Sequence, residues 1–166
     1  MINNEIYALA VSCIKELTKN GISLSCAESC TGGMFSSYIT SVPGVSAVYE
    51  MGITTYSNRI KTDILGVNKD TVAQFGAVSR QTAKEMAIRI RKIASSDIGV
   101  SITGEAGPTS SEGKAPGTVY IALADDSTVY IEKLNINPLS RDYVRENAVK
   151  AVFQLVEKYI ERRLSL

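Results

Sequence analysis

Histidine is absent from this 166-residue chain, and so is tryptophan. Without an imidazole there is no Ser-His-Asp triad, no Cys-His pair, no HExxH zinc site and no histidine proton shuttle. If the chain is an enzyme, its base is a lysine, a carboxylate, a tyrosine or a thiolate. Cysteine is scarce: Cys13, Cys26 and Cys30 are an odd set with no CxxC pair, a poor disulfide framework and a poor zinc site. Reduced thiols in a cytoplasmic protein fit that usage. No apolar run approaches the roughly 20 residues that span a bilayer. The start, Met-Ile-Asn-Asn-Glu, lacks the basic and apolar parts of a signal peptide.

Charge of either sign is in balance, 18 Lys+Arg against 17 Asp+Glu. That argues against direct nucleic-acid binding, which needs a cationic surplus for phosphates. The nearest basic cluster, Arg89, Arg91 and Lys92, reads as a solvated helix face. A 45% hydrophobic, 21% charged composition is that of a folded globular protein. The length suits a single domain over 1–166.

Periodicity predicts a helix over 3–19, with Ile6, Leu9, Cys13, Ile14 and Leu17 on one face and Gly21 as its stop. A strand over 22–27 runs through a tight turn into a helix over 33–41, which Pro43-Gly44 ends. A strand lies within 46–56. Asn58 is expected to cap a short helix through Ile64, and another spans 69–74. Ser79 caps a long helix over 80–95, with Ala83, Met86, Ala87, Ile90 and Ile93 facing inward. Strands follow at 97–103, 117–124 and 128–135. A final helix over 140–163 turns Val144, Ala148, Val152, Leu155 and Tyr159 inward. Helices interleaved with strands predict a three-layer α/β/α sandwich, and the 117–135 hairpin makes its sheet mixed.

Between Asn20 and Asn58 the only ionisable acids are Glu28 and Glu50, and there is no Lys or Arg. Such a stretch is mostly interior, so Glu28 beside Ser29, Cys30 and Thr31 stands out. This turn leaves a strand and enters a helix, where free backbone N–H groups and the helix dipole can hold an anion or oxyanion. Gly32 and Gly33 allow close approach. The plainer reading is a helix capped by Thr31, with Cys30 as a small buried filler. A second segment, Thr55 to Lys61, puts a lysine in the first turn of a helix. There the dipole and partial burial lower its pKa. Lacking histidine, a serine nucleophile can use such a lysine as base, and Ser29 with Lys61 is the sharpest pairing the chain offers. A third segment, Ser101 to Pro108, leaves a strand where open α/β sheets bind ligands. Thr103 can orient a substrate there, while Gly104 and Gly107 expose backbone; an ordinary strand-exit loop is the alternative. Finally, Arg141 and Arg145 stand one turn apart and can clamp a phosphate, or pair with Asp142 or Glu146 on the surface.

Five segments in order, AESCTGG at 27–33, TYSNxxK at 55–61, GAVS at 76–79, SITGxAGP at 101–108 and PGTVYIAL at 116–123, resemble the CinA C-terminal domain family (competence/damage-inducible protein). Its stand-alone members include nicotinamide-nucleotide amidohydrolases. The resemblance implies an α/β/α fold and deamidation of nicotinamide mononucleotide to nicotinic acid mononucleotide and ammonia. It implies no cofactor and no metal. By position it makes Ser29 the nucleophile and Lys61 its base, with Glu28, Cys30, Thr31, Gly32, Gly33, Tyr56, Thr103, Gly104, Ala106, Gly107, Arg141 and Arg145 as the substrate-binding set. Fused members carry a further N-terminal domain, for which 166 residues leave no room.

Two departures from the family pattern stand out. Glu105 replaces a small or apolar residue, and Thr109 to Pro116 replaces a glycine-rich stretch followed by Lys-Pro. They leave open a drifted nucleotide-binding or competence/damage-associated protein of the same fold, or a related amidase or esterase. The expected partner is a small-molecule nucleotide substrate, with no membrane. The apolar stretch Ala47 to Ile53 also suits a homodimer.

Overall fold

The computed structural model describes residues 3–110 and 112–165; Met1, Ile2, Ser111 of the 109–116 loop and Leu166 lie outside them. The elements are α1 (Asn4–Asn20), β1 (Leu24–Glu28), α2 (Met34–Thr40), a 3-10 turn (Val45–Ala47), β2 (Tyr49–Thr54), α3 (Asn58–Asp63), α4 (Lys69–Phe75), α5 (Arg80–Ala94), β3 (Ile98–Gly104), β4 (Thr118–Ala124), β5 (Val129–Asn135) and α6 (Arg141–Leu164). The sheet runs β2-β1-β3-β4-β5, with β1 parallel to β2 and β3, and antiparallel pairing from β3 through β5. It is the mixed α/β sheet that the pattern of elements predicts.

β1 is an interior strand of the sheet, buried along its whole length, as a strand covered on both faces must be. Alternation divides the sheet. Leu24, Cys26, Ile98, Val100, Ile102, Val119, Ile121 and Leu123 pack with α1, α2 and α6 in the main core. Smaller residues, Ala122 and Ala124, meet Ala83 and Ala87 of α5 on the other face. That second layer sits very close: a Cβ on Gly99 would lie 2.4 Å from the Ala87 carbonyl oxygen, so only glycine lets α5 approach.

Local differences from the sequence reading have local causes. Ser57, not Asn58, caps α3, its side chain accepting from the Ile60 N–H. Ile93, expected inward, is 50% exposed, because it lies in the last turn of α5 before the chain reverses at Ser95 and nothing covers it. The inward face of α6 is wider than expected and adds Val149, Phe153, Val156 and Ile160.

What positions a site is strand direction. The carboxyl ends of β1, β2 and β3 (Glu28, Thr54 and Gly104) gather at one end of the sheet, beside the first residues of β4, where Val119 pairs with Gly104. The chain leaves β1 toward β2 on one side and reaches β3 on the other. Such a switch in direction is where open α/β sheets leave a crevice.

Candidate active site

A cavity of about 440 Å³ opens at that end. Ser29, Cys30, Tyr56, Lys61, Thr103, Gly104, Ala106 and Arg141 of the expected set line it. Glu28, Thr31, Gly32, Gly33, Gly107 and Arg145 do not lie on its wall.

Ser29 is the first residue beyond β1. Its N–H donates to the Ile102 carbonyl at 2.9 Å, so the strand register continues into the turn and fixes its backbone. The exits of β1 and β2 are tied together by the Thr55 N–H, which donates to the Glu28 carbonyl at 2.7 Å. From there one turn of α3 brings Lys61 back toward the sheet. Its Nζ lies 3.0 Å from Ser29 Oγ, 2.7 Å from the Thr55 carbonyl oxygen and 3.3 Å from that of Tyr56. Lys61 is 1% exposed and Ser29 8%. Burial pulls the lysine pKa down to about 8, against the opposing pull of Cys30 and Glu112. Roughly a tenth of the amine is then neutral at pH 7. A protonated amine donates to all three oxygens. A neutral amine keeps two N–H groups for the two carbonyls and turns its lone pair to the Ser29 hydroxyl. That geometry allows proton transfer from Ser29 to Lys61.

Cys30 lies on the same wall, but burial pushes its thiol up to about 12, so it is a protonated filler at neutral pH.

Glu28 faces away from the lysine, toward α2. Its carboxylate accepts from the Thr31 hydroxyl (2.7 Å), the backbone N–H groups of Gly33 (3.1 Å), Phe35 (3.1 Å) and Ser36 (2.9 Å), and the Ser36 hydroxyl (2.7 Å). It is a cap supplied from the preceding strand. Thr31 does not cap α2; Gly33 occupies the N-cap position with no side-chain bond of its own. The start of α2 is therefore already occupied by an internal anion. The Gly32 N–H is also taken, by the Ser29 carbonyl at 3.0 Å. Of the Cys30–Gly33 amides, those of Cys30 and Thr31 have no acceptor among the described residues, and Cys30 is the one on the cavity wall.

The far wall comes from β3 and the loop after it. The Thr103 hydroxyl donates to the Ala77 carbonyl at 2.8 Å, leaving its lone pairs for the cavity. Arg141 donates from Nη1 to the Gly107 carbonyl (2.7 Å) and from Nη2 to the Tyr56 hydroxyl (3.0 Å), bridging two walls with donors to spare. Arg145 acts behind the site, donating to the Thr31 carbonyl (2.9 Å) and pairing with Asp142 (2.8 Å). The two arginines thus do not form one clamp.

The substrate-binding set expected from the sequence omits Asn58, Ala77, Val78, Thr109, Ser110 and Glu112, which also line the cavity; Glu105, singled out only as a departure from the family pattern, is a buried acid on its wall. The GAVS and TYSNxxK segments already contained three of them. Glu112 carried no local signal. Among the described residues there is no metal-binding group of three or more His, Cys, Asp or Glu side chains, and no helix is long and apolar enough to cross a membrane.

The comparisons with known proteins point one way. A competence-damage inducible protein of Caldanaerobacter subterraneus subsp. tengcongensis is 45% identical over 151 residues, 90% of this chain and 36% of that protein. The chain spans about a third of the length of the curated relatives it matches. The crystal structure of competence/damage inducible protein CihA from Agrobacterium tumefaciens superposes with a TM-score of 0.91 at 34% identity, covering 95% of this chain and 97% of that one. A CinA superfamily protein of Klebsiella pneumoniae gives a TM-score of 0.91 at 27% identity over 95% and 98% of the two chains. The CinA C-terminal domain itself matches residues 6–160, and the chain belongs to the CinA C-terminal domain family.

Proposed function

We propose that this domain is an amidohydrolase that converts nicotinamide mononucleotide and water to nicotinic acid mononucleotide and ammonia. The observation that carries the reading is the 3.0 Å approach of the buried Lys61 Nζ to Ser29 Oγ on a cavity wall.

Neutral Lys61 takes the Ser29 proton as Oγ attacks the carboxamide carbon. The oxyanion of the tetrahedral intermediate is met by the Cys30 N–H, a donor worth about 3 kcal/mol where such groups have been removed from hydrolases. Lys61 then passes its proton to the leaving nitrogen, ammonia departs, and an ester to Ser29 remains. Water attacks that ester while giving a proton to Lys61. Collapse of the second intermediate releases the carboxylate, and Lys61 returns the proton to Ser29. Arg141, with guanidinium donors still free, suits the phosphate. The substrate ring is a pyridinium cation, so the carboxylate of Glu105 on the wall complements it rather than repelling it.

The test is ammonia release from nicotinamide mononucleotide. Wild type is expected to turn over, and Ser29→Ala to lose about 10³-fold or more in kcat with its fold intact. Retention of most activity by Ser29→Ala would sink the dyad.

A second reading, a nucleotide-binding domain without turnover, draws on the two acids of the cavity wall, Glu105 and Glu112. Nucleotide binding by calorimetry with no ammonia from wild type would select it. Roles in competence or damage belong to the names of the relatives and extend to this chain only as part of that reading.

A further inference from the structure

The connection from β3 to β4 has a paired neck. The Glu105 N–H donates to the Thr118 carbonyl at 2.9 Å, and the Gly117 N–H to the Glu105 carbonyl at 2.7 Å. Beyond the neck the loop reaches across the cavity, where Thr109, Ser110 and Glu112 stand on its wall. An irregular segment of this kind is held in place by what its own groups grip.

Glu112 grips the opposite side. Its Oε1 accepts the Ala77 N–H at 2.7 Å and its Oε2 the Val78 N–H at 2.9 Å. These two amides lie between the end of α4 and the Ser79 cap of α5, on the strip whose Ala77 carbonyl holds Thr103. The seat is shaped for a carboxylate. Gly76 has φ +83°, and a Cβ built there would lie 2.5 Å from Glu112 Oε2, so a larger residue would both strain the backbone and fill the seat.

Charge supports the contact. Lys114 Nζ lies 3.4 Å from Oε2. Glu112 also donates its own N–H to Glu105 Oε1 at 3.2 Å, so the two loop acids meet through an amide and not carboxylate to carboxylate. Burial raises the Glu112 pKa, but the two amides and Lys114 outweigh it, and the group stays ionised. Lys61 feels this carboxylate, which holds the lysine pKa higher than burial alone would. Besides Glu112, the ionisable residues gathered at this cavity among the described residues are Lys61, Cys30, Tyr56, Glu105, Lys114 and Arg141.

We propose that Glu112 is a positioning residue: its carboxylate, seated on the Ala77 and Val78 amides, clasps the described loop residues 105–110 and 112–117 down as the outer wall of the cavity and so sets substrate affinity. The affinity part rests on the amidohydrolase reading; the clasp does not.

The experiment compares the whole chain with Glu112→Gln, which turns an NH₂ group toward one of the two amides, and with Gly76→Ala, which keeps the acid and fills its seat. Three things are measured: hydrogen exchange at Ala77 and Val78, tryptic cleavage after Lys114, and kcat and KM with nicotinamide mononucleotide. In both variants exchange at the two amides should quicken about tenfold or more, cleavage should speed up, and KM should rise about tenfold, by more than kcat falls. Glu112→Gln should also move the lysine-controlled limb of the pH–rate profile to lower pH, an effect that a purely structural role would not produce. Unchanged exchange in Glu112→Gln overturns the clasp. Faster exchange with KM within twofold of wild type overturns the positioning role. If wild type releases no ammonia, it is the amidohydrolase reading that fails, and exchange and cleavage still decide the clasp.

Discussion

The end of β1 and the segment after β2 lie at adjacent strand ends, and each buries a side chain of formal charge, Glu28 and Lys61, among backbone groups. They treat it in opposite ways. Glu28 is surrounded by donors fixed by α2, and its charge does the work of a helix cap. Lys61 is given two carbonyls and a serine hydroxyl, with burial acting against its charge. A buried ion saturated by backbone is a structural part, whereas one held near its tipping point beside a hydroxyl and a cavity is equipped for proton transfer. Two residues of similar burial thus differ in kind because of what faces them.

Four substitutions probe this contrast. Glu28→Gln has the largest expected effect on stability. Its NH₂ group would confront a backbone donor, leaving an N–H unsatisfied at the start of α2, and denaturation by urea should show a loss of about 3 kcal/mol. Full stability with lost activity would instead place Glu28 in the chemistry.

Lys61→Met should do the reverse, abolishing turnover while leaving the fold as stable as wild type, or more so, at pH 7. The sign follows from protons. The folded lysine titrates near 8 and the unfolded one near 10.5, so between those values the unfolded chain holds more protons and wild-type stability rises with pH. Below about 8 the full penalty applies, on the order of 3 kcal/mol at most. Any advantage of Lys61→Met should therefore shrink above pH 8. Wild-type rate should climb about tenfold per pH unit below 8 and level off above it, since only neutral Lys61 accepts the proton. A rate flat from pH 6 to 9 would rule out Lys61 as the base.

The smallest effect is expected at Arg145, which supports the turn from behind. Arg145→Ala should cost about 1 kcal/mol in thermal or urea unfolding and move KM by less than threefold. Arg141→Ala, on the cavity wall, should raise KM well beyond that. Equal KM effects would put both arginines on the substrate.

Much of this was legible in the chain. Periodicity placed the helices and strands because one face of each is buried, and the Ser79 cap follows from its side chain and the residue three positions on. The Ser29–Lys61 juxtaposition needed one further assumption, that β1 and β2 are neighbours, which the parallel register satisfies. What escaped depended on partners distant in sequence. The side chain of Glu28 decides what the start of α2 can bind, so the free amides expected across Cys30–Gly33 reduce to those of Cys30 and Thr31. Glu112 reaches amides 34 and 35 residues away, and no local pattern of loop residues announces such a grip. Arg141 and Arg145 share helical spacing, yet their different partners, Gly107 and Thr31, divide them between the front and the back of the site.

The pairing of β1 with β3 also has a consequence for assembly. A nascent chain that ends at Asp63 already contains Ser29, Lys61 and the β1–β2 pair, but it lacks Ile102, whose carbonyl anchors the serine's own amide. The strands joined at this seam are 74 residues apart, as Ser23 and Asp97 at its start show. Closing a loop of that length comes late in folding relative to local hairpins and helices. Ser29 is therefore made early and anchored late, so an unfinished or truncated chain carries Ser29 and Lys61 without the backbone contact that fixes the serine.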